Sequence, residues 1–203
     1  MNTLNIELLV AIASFAFVTS VTPGPNNIML TASGANFGLT RTLPHIAGIV
    51  FGIALMNLLI GLGLGAVFQQ HPVIQQVLKI GGSAYLIWLA VKLLRFSHVE
   101  SSGDSEGRPF SFLQAATFQY INPKAWVMVI SANASFTLSG DLYWTSVGLI
   151  IALFILIGPP SVMLWTIFGQ AIRRHLRDPV FLKGFNTFMT SLTAMCIFFI
   201  WIE

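Results

Sequence analysis

Apolar residues form six long stretches along the 203-residue chain, and most polar residues lie in the short segments between them. A helix needs about 20 mostly apolar residues to cross a bilayer. The pattern therefore predicts an all-α integral membrane fold with six transmembrane helices. The predicted spans are Ile6 to Ala32, Leu43 to Phe68, Val73 to Phe96, Phe110 to Leu138, Trp144 to Ala171 and Lys183 to Ile202.

Two of the predicted spans contain prolines near their middle. The first span is interrupted at residues 22–27 and the fourth at residues 121–125. Because proline removes a backbone donor and clashes with the preceding turn, each of these spans is predicted to divide into two half-helices. Such a break is costly in hydrocarbon unless it faces a partner or a cavity. Paired breaks in the two halves of a chain are typical of a transporter whose substrate binds near the bilayer midplane.

The segment 97–109 is polar and low in complexity, and it separates three spans from three. It is interpreted as a cytoplasmic linker between a first three-helix repeat, residues 1–96, and a second one, residues 110–203. Alignment of the two halves places Pro25 on Pro123. Since each half has an odd number of spans, two copies of one fold would enter the membrane from opposite sides, which predicts an inverted repeat. Two unrelated proline kinks are the alternative.

Composition and charge placement support a membrane location and suggest an orientation. The chain is 55% hydrophobic and 8% charged, which leaves too little polar surface to cover a water-soluble globule. Positive charges concentrate in connections on one face of the predicted bundle. By the positive-inside rule this face is cytoplasmic, with both termini outside, in a cell (inner) membrane. The basic residues on this face are Arg41, Lys92, Arg95, Arg108, Arg173, Arg174, Arg177 and Lys183. The cluster around Arg174 is interpreted as a contact with anionic membrane lipid and not with nucleic acid.

Several kinds of chemistry lack the side chains that they need. The single cysteine, Cys196, cannot form an intrachain disulfide or a thiol relay. The four histidines are scattered without the spacing of a metal site, and the seven acidic residues lie at span ends or in connections, so a catalytic triad has no support. We therefore expect no enzyme activity, no metal and no cofactor. The lack of a mid-span carboxylate also disfavours basic amino acids and divalent cations as substrates.

The residues around the two breaks predict a binding site. Thr22 before Pro23 and Asn122 before Pro123 have the order of a capped helix start. Each new helix start would carry unpaired donors and partial positive charge, and Lys124 adds a full charge, which together suit a carboxylate. Carbonyls that end the preceding half-helices, near residues 20–22 and 119–121, would accept hydrogen bonds from an ammonium. The two poles fit an amino-acid zwitterion. The predicted substrate-binding residues, with two aromatic residues that flank the second break, are Thr22, Pro23, Gly24, Pro25, Asn26, Asn27, Tyr120, Asn122, Pro123, Lys124 and Trp126.

Small and amide side chains within the spans have a second, purely structural interpretation. Glycines of the second span are interpreted mainly as positions of close helix packing. Asn57 and Asn133 either form an interhelical hydrogen bond or line a pocket, and the sequence favours neither. The glycines in question are Gly48, Gly52, Gly61, Gly63 and Gly65.

Four segments in order resemble the lysine exporter and homoserine/threonine-resistance (LysE/RhtB) family of amino-acid exporters. They are residues 22–26, 47–52, 82–92 and 122–125. The resemblance implies six spans and export of small amino acids or their derivatives from the cytoplasm, driven by the proton gradient. Residues 158–160, Gly-Pro-Pro, depart from the family pattern in the fifth span. The resemblance therefore does not determine the pocket wall there, nor the identity of the substrate.

A substrate class follows from the resemblance together with the missing mid-span carboxylate. The expected substrates are small neutral amino acids of the serine, threonine, homoserine, cysteine or branched-chain type. A passive channel and a non-transporting membrane scaffold are the alternatives, and a homo-oligomer is compatible with the sequence. A channel predicts conductance, whereas a scaffold predicts that the breaks can be straightened without loss.

Overall fold

The computed structural model describes residues 4–64, residues 108–202 and, between these ranges, single residues from Val73 to Val91. Its regular elements in the described ranges are helical, which confirms the all-α fold. The helices are α1 (Ile6–Val21), α2 (Pro25–Leu59), α3 (Phe112–Phe118), α4 (Pro123–Phe136), α5 (Tyr143–Ile172) and α6 (Pro179–Ile202). Short turns of other helical types lie at Ile60–Leu64, Gln119–Ile121, Gly140–Leu142 and His175–Arg177. The described residues of the predicted third span are helical, and its bounds, like most of the predicted linker 97–109, lie outside the described residues.

Helix α2 turns back on itself at Gly38, whose φ of 77° lies in the left-handed region that favours glycine. The hydroxyl oxygens of Ser33 and Thr42 are 2.8 Å apart. In a continuous helix nine residues would separate their backbones by about 13.5 Å. Helix α2 therefore consists of a first arm, residues 25–37, and a second arm, residues 39–59. The predicted connection at residues 33–42 is wrong, because a single glycine makes the turn.

The first break lies between α1 and α2. Asn5 caps the start of α1 by accepting a hydrogen bond from the Leu8 amide at 2.9 Å. The other end of α1 closes on Thr22, whose hydroxyl donates to the carbonyl of Val18 at 2.5 Å. The next helix begins at Pro25 with Gly24 as its cap and with no side-chain cap bond. The prediction that Thr22 and Pro23 start a helix is therefore wrong, because the Thr22 side chain completes the preceding turn instead.

The second break is a single residue, Asn122. Helix α3 begins with a capping box between Ser111 and Gln114, and the turn after α3 ends at Ile121. Asn122 then caps α4, since its side chain accepts a hydrogen bond from the Lys124 amide at 3.2 Å, and Pro123 is the first helical residue. The order of cap and proline is the one that the sequence predicts here.

Glycines let the helices approach at the backbone. A Cβ atom built on Gly34 would collide with the carbonyl of Thr166 in α5, and one on Gly169 would collide with the carbonyl of Thr31 in the first arm. One glycine at each contact thus lets these two helices approach closely, as is usual within membranes. Helix α5 also packs on α1.

The predicted packing role of the second-span glycines has a mixed outcome. A Cβ atom on Gly48 would be 2.8 Å from that of Ala115, and one on Gly52 would be 2.8 Å from the Ala116 carbonyl oxygen, so both allow contact with α3. Gly61 meets Val147 in the same way. At Gly63 the described residues do not support the packing role: its φ is 109° and an added Cβ would have none of their atoms within 4 Å, so its backbone conformation is what favours glycine. Gly65 lies outside the described residues.

Asn57 and Asn133 form an interhelical hydrogen bond. Nδ2 of Asn133 donates to Oδ1 of Asn57 at 2.8 Å, and both residues are buried. Neither lines the cavity described below. Of the two interpretations that the sequence left open, the structure supports the hydrogen bond.

By length and composition, two helical segments in the described part of the chain could cross a membrane, Pro25–Leu64, which includes the turn at Gly38, and Gly140–Ile172, and Ile6–Val21 is a shorter apolar helix. Large apolar side chains such as Val10 and Leu156 are exposed on the outside of the bundle, where lipid would solvate them. The Leu39 amide donates to Oε1 of Gln170 at 2.8 Å, which places the turn at Gly38 beside the end of α5. Arg41 and Arg173 therefore lie near the same end of the bundle, as the charge argument requires.

Candidate functional site

A cavity with polar side chains on one side and an apolar wall lies where the two breaks meet. Its volume is about 40 Å³, which is room for about three water molecules. The lining comprises Thr19 and Ser20 of α1; Gly24, Pro25, Asn26, Asn27, Ile49, Val50 and Ile53 of α2 and its cap; Asn122, Lys124, Ala125 and Met128 of α4 and its cap; and Phe154, Gly158 and Val162 of α5.

Lys124 reaches from the second break across the cavity to the first. Its Nζ donates to the carbonyl oxygens of Thr22 at 2.5 Å and of Pro23 at 3.3 Å. These carbonyls follow the carboxyl end of α1, where partial negative charge favours a cation. An ammonium at membrane depth costs about 3 kcal/mol on insertion scales, and the two carbonyls offset part of this cost. Carbonyls that the sequence assigned to a substrate ammonium thus hold the protein's own cation.

Gly24 gives Lys124 the room to lie there. A Cβ atom on Gly24 would be 2.7 Å from Cδ and 3.0 Å from Nζ of Lys124. The φ of Gly24 is −175°, an extended conformation that any residue can adopt. Glycine is therefore needed at this position for space and not for its backbone conformation.

Asn27 ties the start of α2 to the end of α1. Its Nδ2 donates to the carbonyl oxygens of Ser20 at 3.0 Å and of Thr22 at 2.7 Å. Nε1 of Trp165, in α5, donates to the carbonyl of Val21 at 3.0 Å. Side chains from three separate positions thus satisfy the carbonyls that the end of α1 leaves open.

A reciprocal amide pair connects the two breaks. Nδ2 of Asn26 donates to Oε1 of Gln119 at 2.8 Å, and Nε2 of Gln119 donates to Oδ1 of Asn26 at 3.1 Å. Gln119 is fully buried, and its Nε2 also donates to the carbonyl of Ala115 at 2.9 Å. Sequence reasoning missed Gln119, although a glutamine three residues before the cap of a membrane half-helix is the kind of deep polar residue that signals such a role.

Six of the predicted site residues line the cavity, namely Gly24, Pro25, Asn26, Asn27, Asn122 and Lys124. Thr22 and Pro23 contribute their carbonyls to Lys124 from outside the lining. Pro123 is buried at the start of α4. The structure thus gathers most of the predicted residues from both breaks around one space.

Tyr120 and Trp126 are not among the residues that line the cavity in the described conformation, and their contact with substrate stays a prediction. Their rings contact each other edge to face at 6.2 Å, and Nε1 of Trp126 donates to the Tyr120 carbonyl at 2.9 Å. This carbonyl is one that the break leaves open, and Trp126 satisfies it from within its own helix. The pair therefore supports the second break.

The apolar wall of the cavity was not predicted. Its side chains come from the second arm of α2, from α4 and from α5, and in the sequence they resemble residues that face lipid. Gly158 also lies in this wall, and an added Cβ there would have no atom within 4 Å. The departure from the family pattern at residues 158–160 thus lies at the cavity. The apolar wall residues are Ile49, Val50, Ile53, Met128, Phe154 and Val162.

The charge of the cavity is simple. Among the lining residues Lys124 carries the one formal charge, and no aspartate or glutamate takes part. In the described ranges no group of histidine, cysteine and acidic side chains is arranged to hold a metal ion. The site is suited to an anionic group that has a small uncharged remainder.

An apolar helical bundle with a cavity at two helix breaks is typical of membrane transport proteins. The chain belongs to the LysE type translocator family, whose model matches residues 17–200. This is a family of transporters and not of enzymes, and the resemblance inferred from the four segments is confirmed.

Bacterial efflux proteins are among the curated relatives of the chain. The cysteine/O-acetylserine efflux proteins of Escherichia coli (strain K12) and of Shigella flexneri are each 27% identical over 192 residues, which are 93% of this chain and 95% of the relative. The protein of that name from Escherichia coli O139:H28 (strain E24377A / ETEC) is 28% identical over the same lengths. No solved structure matches the chain significantly.

Proposed function

We propose that the protein exports small neutral amino acids or their derivatives from the cytoplasm across the cell (inner) membrane. Membership of the translocator family and relatives that carry the name cysteine/O-acetylserine efflux protein support this proposal. The observation that carries it is Lys124, a single cation that spans a cavity between two helix breaks.

Lys124 would bind the substrate carboxylate. In the described conformation its Nζ is held by two neutral carbonyls. A carboxylate forms stronger hydrogen bonds with an ammonium than a carbonyl does, so an entering substrate can take over Lys124. The exchange releases the carbonyls of Thr22 and Pro23, and this couples occupancy of the site to the geometry of the first break.

The rest of the cavity would select the substrate side chain. Its wall is apolar and includes no acidic residue that could pair with a second ammonium or a guanidinium. Lysine and arginine are therefore disfavoured, because burial of their charge would be uncompensated. Cysteine and O-acetylserine, the compounds in the names of the relatives, fit a small uncharged side chain and are the substrates that we propose.

The two halves, residues 1–96 and 110–203, would act as inverted repeats joined by the cytoplasmic linker 97–109. Support comes from the meeting of their breaks at one cavity and from the amide pair between Asn26 and Gln119. Rocking of one repeat against the other would then open the site to each side in turn. Reporter fusions test the orientation: a reporter at Glu203 is expected outside and one within 97–109 inside, and a carboxyl terminus in the cytoplasm would contradict the charge argument.

Efflux measurements test the proposed function. Cells that produce the protein are loaded with labelled cysteine, O-acetylserine, serine, threonine or lysine, and release is followed with and without a protonophore. We expect energy-dependent release of the small neutral compounds, retention of lysine, and no release with Lys124→Met. Release of none of the panel would overturn the exporter proposal, whereas protein-dependent release that the protonophore does not affect would favour a channel.

A further inference from the structure

Asn27 presents an unused acceptor to the cavity. Its Nδ2 is held by two carbonyls, of Ser20 and Thr22. Because a carbonyl can only accept, this fixes which side of the amide carries the nitrogen and turns Oδ1 away from both carbonyls. In the described part of the chain Oδ1 accepts no hydrogen bond, although Asn27 is only 2% exposed and lines the cavity. An amide oxygen without a partner, on a residue that lines a cavity inside the bundle, can accept from a donor of a ligand or of water.

Ser20 presents a second unused group beside the first. Hydroxyls within helices commonly donate to the carbonyl four residues back, as Thr19 does to Phe15 at 2.6 Å. The Ser20 hydroxyl makes no such bond among the described residues, although Ser20 also lines the cavity. Nδ2 of Asn27 donates to the backbone carbonyl of Ser20 at 3.0 Å, so the Asn27 side chain lies beside Ser20, and both residues line the cavity.

The electrostatics of this corner favour a cation. Ser20 is in the last turn of α1, where the helix dipole contributes partial negative charge. Lys124 already occupies the carbonyls of Thr22 and Pro23, and its Nζ shares the Thr22 carbonyl with Nδ2 of Asn27. Oxygen acceptors and a cation thus lie close together at the cavity, and an α-amino acid carries an ammonium and a carboxylate on the same carbon.

We propose that Oδ1 of Asn27 and the hydroxyl oxygen of Ser20 bind the α-ammonium group of the substrate. This inference rests on the proposed export of amino acids and names the contacts that distinguish an amino acid from the corresponding hydroxy acid. The backbone carbonyls near residues 20–22, which the sequence suggested for this task, are instead held by Asn27, Lys124 and Trp165.

Paired ligands test the proposal on the purified full chain. The dissociation constants of cysteine and of 3-mercaptolactate, in which a hydroxyl replaces the amino group, are measured by calorimetry under reducing conditions. We expect the parental protein to prefer cysteine. Ser20→Ala removes one hydrogen bond to a charged group and should weaken cysteine about tenfold while 3-mercaptolactate is unchanged. Ser14→Ala, on the exposed side of the same helix, should leave both constants unchanged.

A second variant moves the preference in the opposite direction. Asn27→Asp places a full negative charge beside the ammonium and should increase the preference for cysteine, whereas Ser20→Ala decreases it. If Asn27→Asp does not fold, because its donor to two carbonyls is lost, Ser20→Ala decides alone. An unchanged preference in Ser20→Ala overturns the proposal.

The parental protein separates this inference from the proposed function. If it binds cysteine and 3-mercaptolactate equally, the ammonium site is wrong although carboxylate binding by Lys124 stands. If it binds neither compound, the proposed substrate class is wrong, and the ammonium site falls with it.

Discussion

The two helix breaks reach the same cavity but are built in different ways. The second break is a single residue that caps its own helix: Asn122 accepts from the Lys124 amide, and Trp126 satisfies the Tyr120 carbonyl from four residues beyond the cap. The first break has three residues outside the helices, and its cap, Gly24, contributes no side chain. Its carbonyls depend on Asn27 in the next helix and on Lys124 and Trp165 from the other half of the chain.

This difference suggests that the two breaks have different roles during substrate binding. A break that is satisfied locally keeps its shape whatever the rest of the bundle does, so the second break can hold Lys124 in a defined place. A break that is satisfied by distant side chains changes when those side chains change partners. The first break is therefore where binding of a carboxylate by Lys124 would have a structural effect.

The largest expected effect concerns the charge that the second break supplies. Lys124→Met should insert and fold but weaken substrate binding about 100-fold, the scale of losing one partner of a buried charge pair. Lys124→Arg should keep a fraction of export, because the charge remains but its shape differs. Calorimetry on the purified variants measures the first effect and efflux the second, with Lys183→Met outside the cavity as control. Equal affinities in Lys124→Met and the parental protein would falsify the carboxylate role.

Stability measurements compare the two breaks directly. Asn27→Ala leaves the Ser20 carbonyl without its side-chain donor and removes one of the two donors to the Thr22 carbonyl, and it should cost about 2–4 kcal/mol in total. Asn122→Ala removes a local cap and should cost about 1 kcal/mol. Unfolding of both variants in mixed micelles gives the two values. Equal costs would show that the first break does not depend on distant side chains more than the second does.

The need for space beside Lys124 at the first break can be tested by adding a methyl group at residue 24. Gly24→Ala places Cβ against the Lys124 side chain, so Lys124 must leave its carbonyls, and we expect export to fall about tenfold, in line with the usual penalty for overpacking. Gly148→Ala in α5 is the matched control, since an added Cβ there has no atom within 4 Å. A Gly24→Ala variant with parental efflux would mean that the position of Lys124 in the described conformation is unimportant.

The smallest effect is expected from the prolines themselves. Pro123→Ala should lose less than about 1 kcal/mol of stability, because proline at the first helical position acts mainly through the unfolded chain and Asn122 still caps α4. Pro23→Ala combined with Pro25→Ala should reduce export more than Pro123→Ala does. The reason is that the first break has no side-chain cap to prevent a continuous helix. Efflux from cells with matched protein levels compares the two proline variants. A larger loss of export in Pro123→Ala would contradict the proposal that the first break is the more easily altered one.

Part of the structure follows from the sequence because it depends on interactions between residues that are close together in the chain. The apolar stretches require membrane helices, Asn122 before Pro123 produces a capped start, and the i, i+4 spacing of Gly48 and Gly52 puts both on one helix face. Each of these features depends on residues within about one turn of each other. The depth of Lys124 in the fourth span follows in the same way from its place within an apolar stretch.

The tertiary structure decided what each polar group contacts. Thr22 has the residue type of a helix cap but ends α1, because the next start falls at Pro25 and its own hydroxyl bonds back to Val18. The partnership of Asn26 with Gln119 and the reach of Lys124 to Thr22 join residues about a hundred positions apart. No local pattern encodes such pairs. They form only where packed helices bring the two breaks together, so that an unpaired carbonyl or amide of one break lies within hydrogen-bond distance of a side chain from the other break.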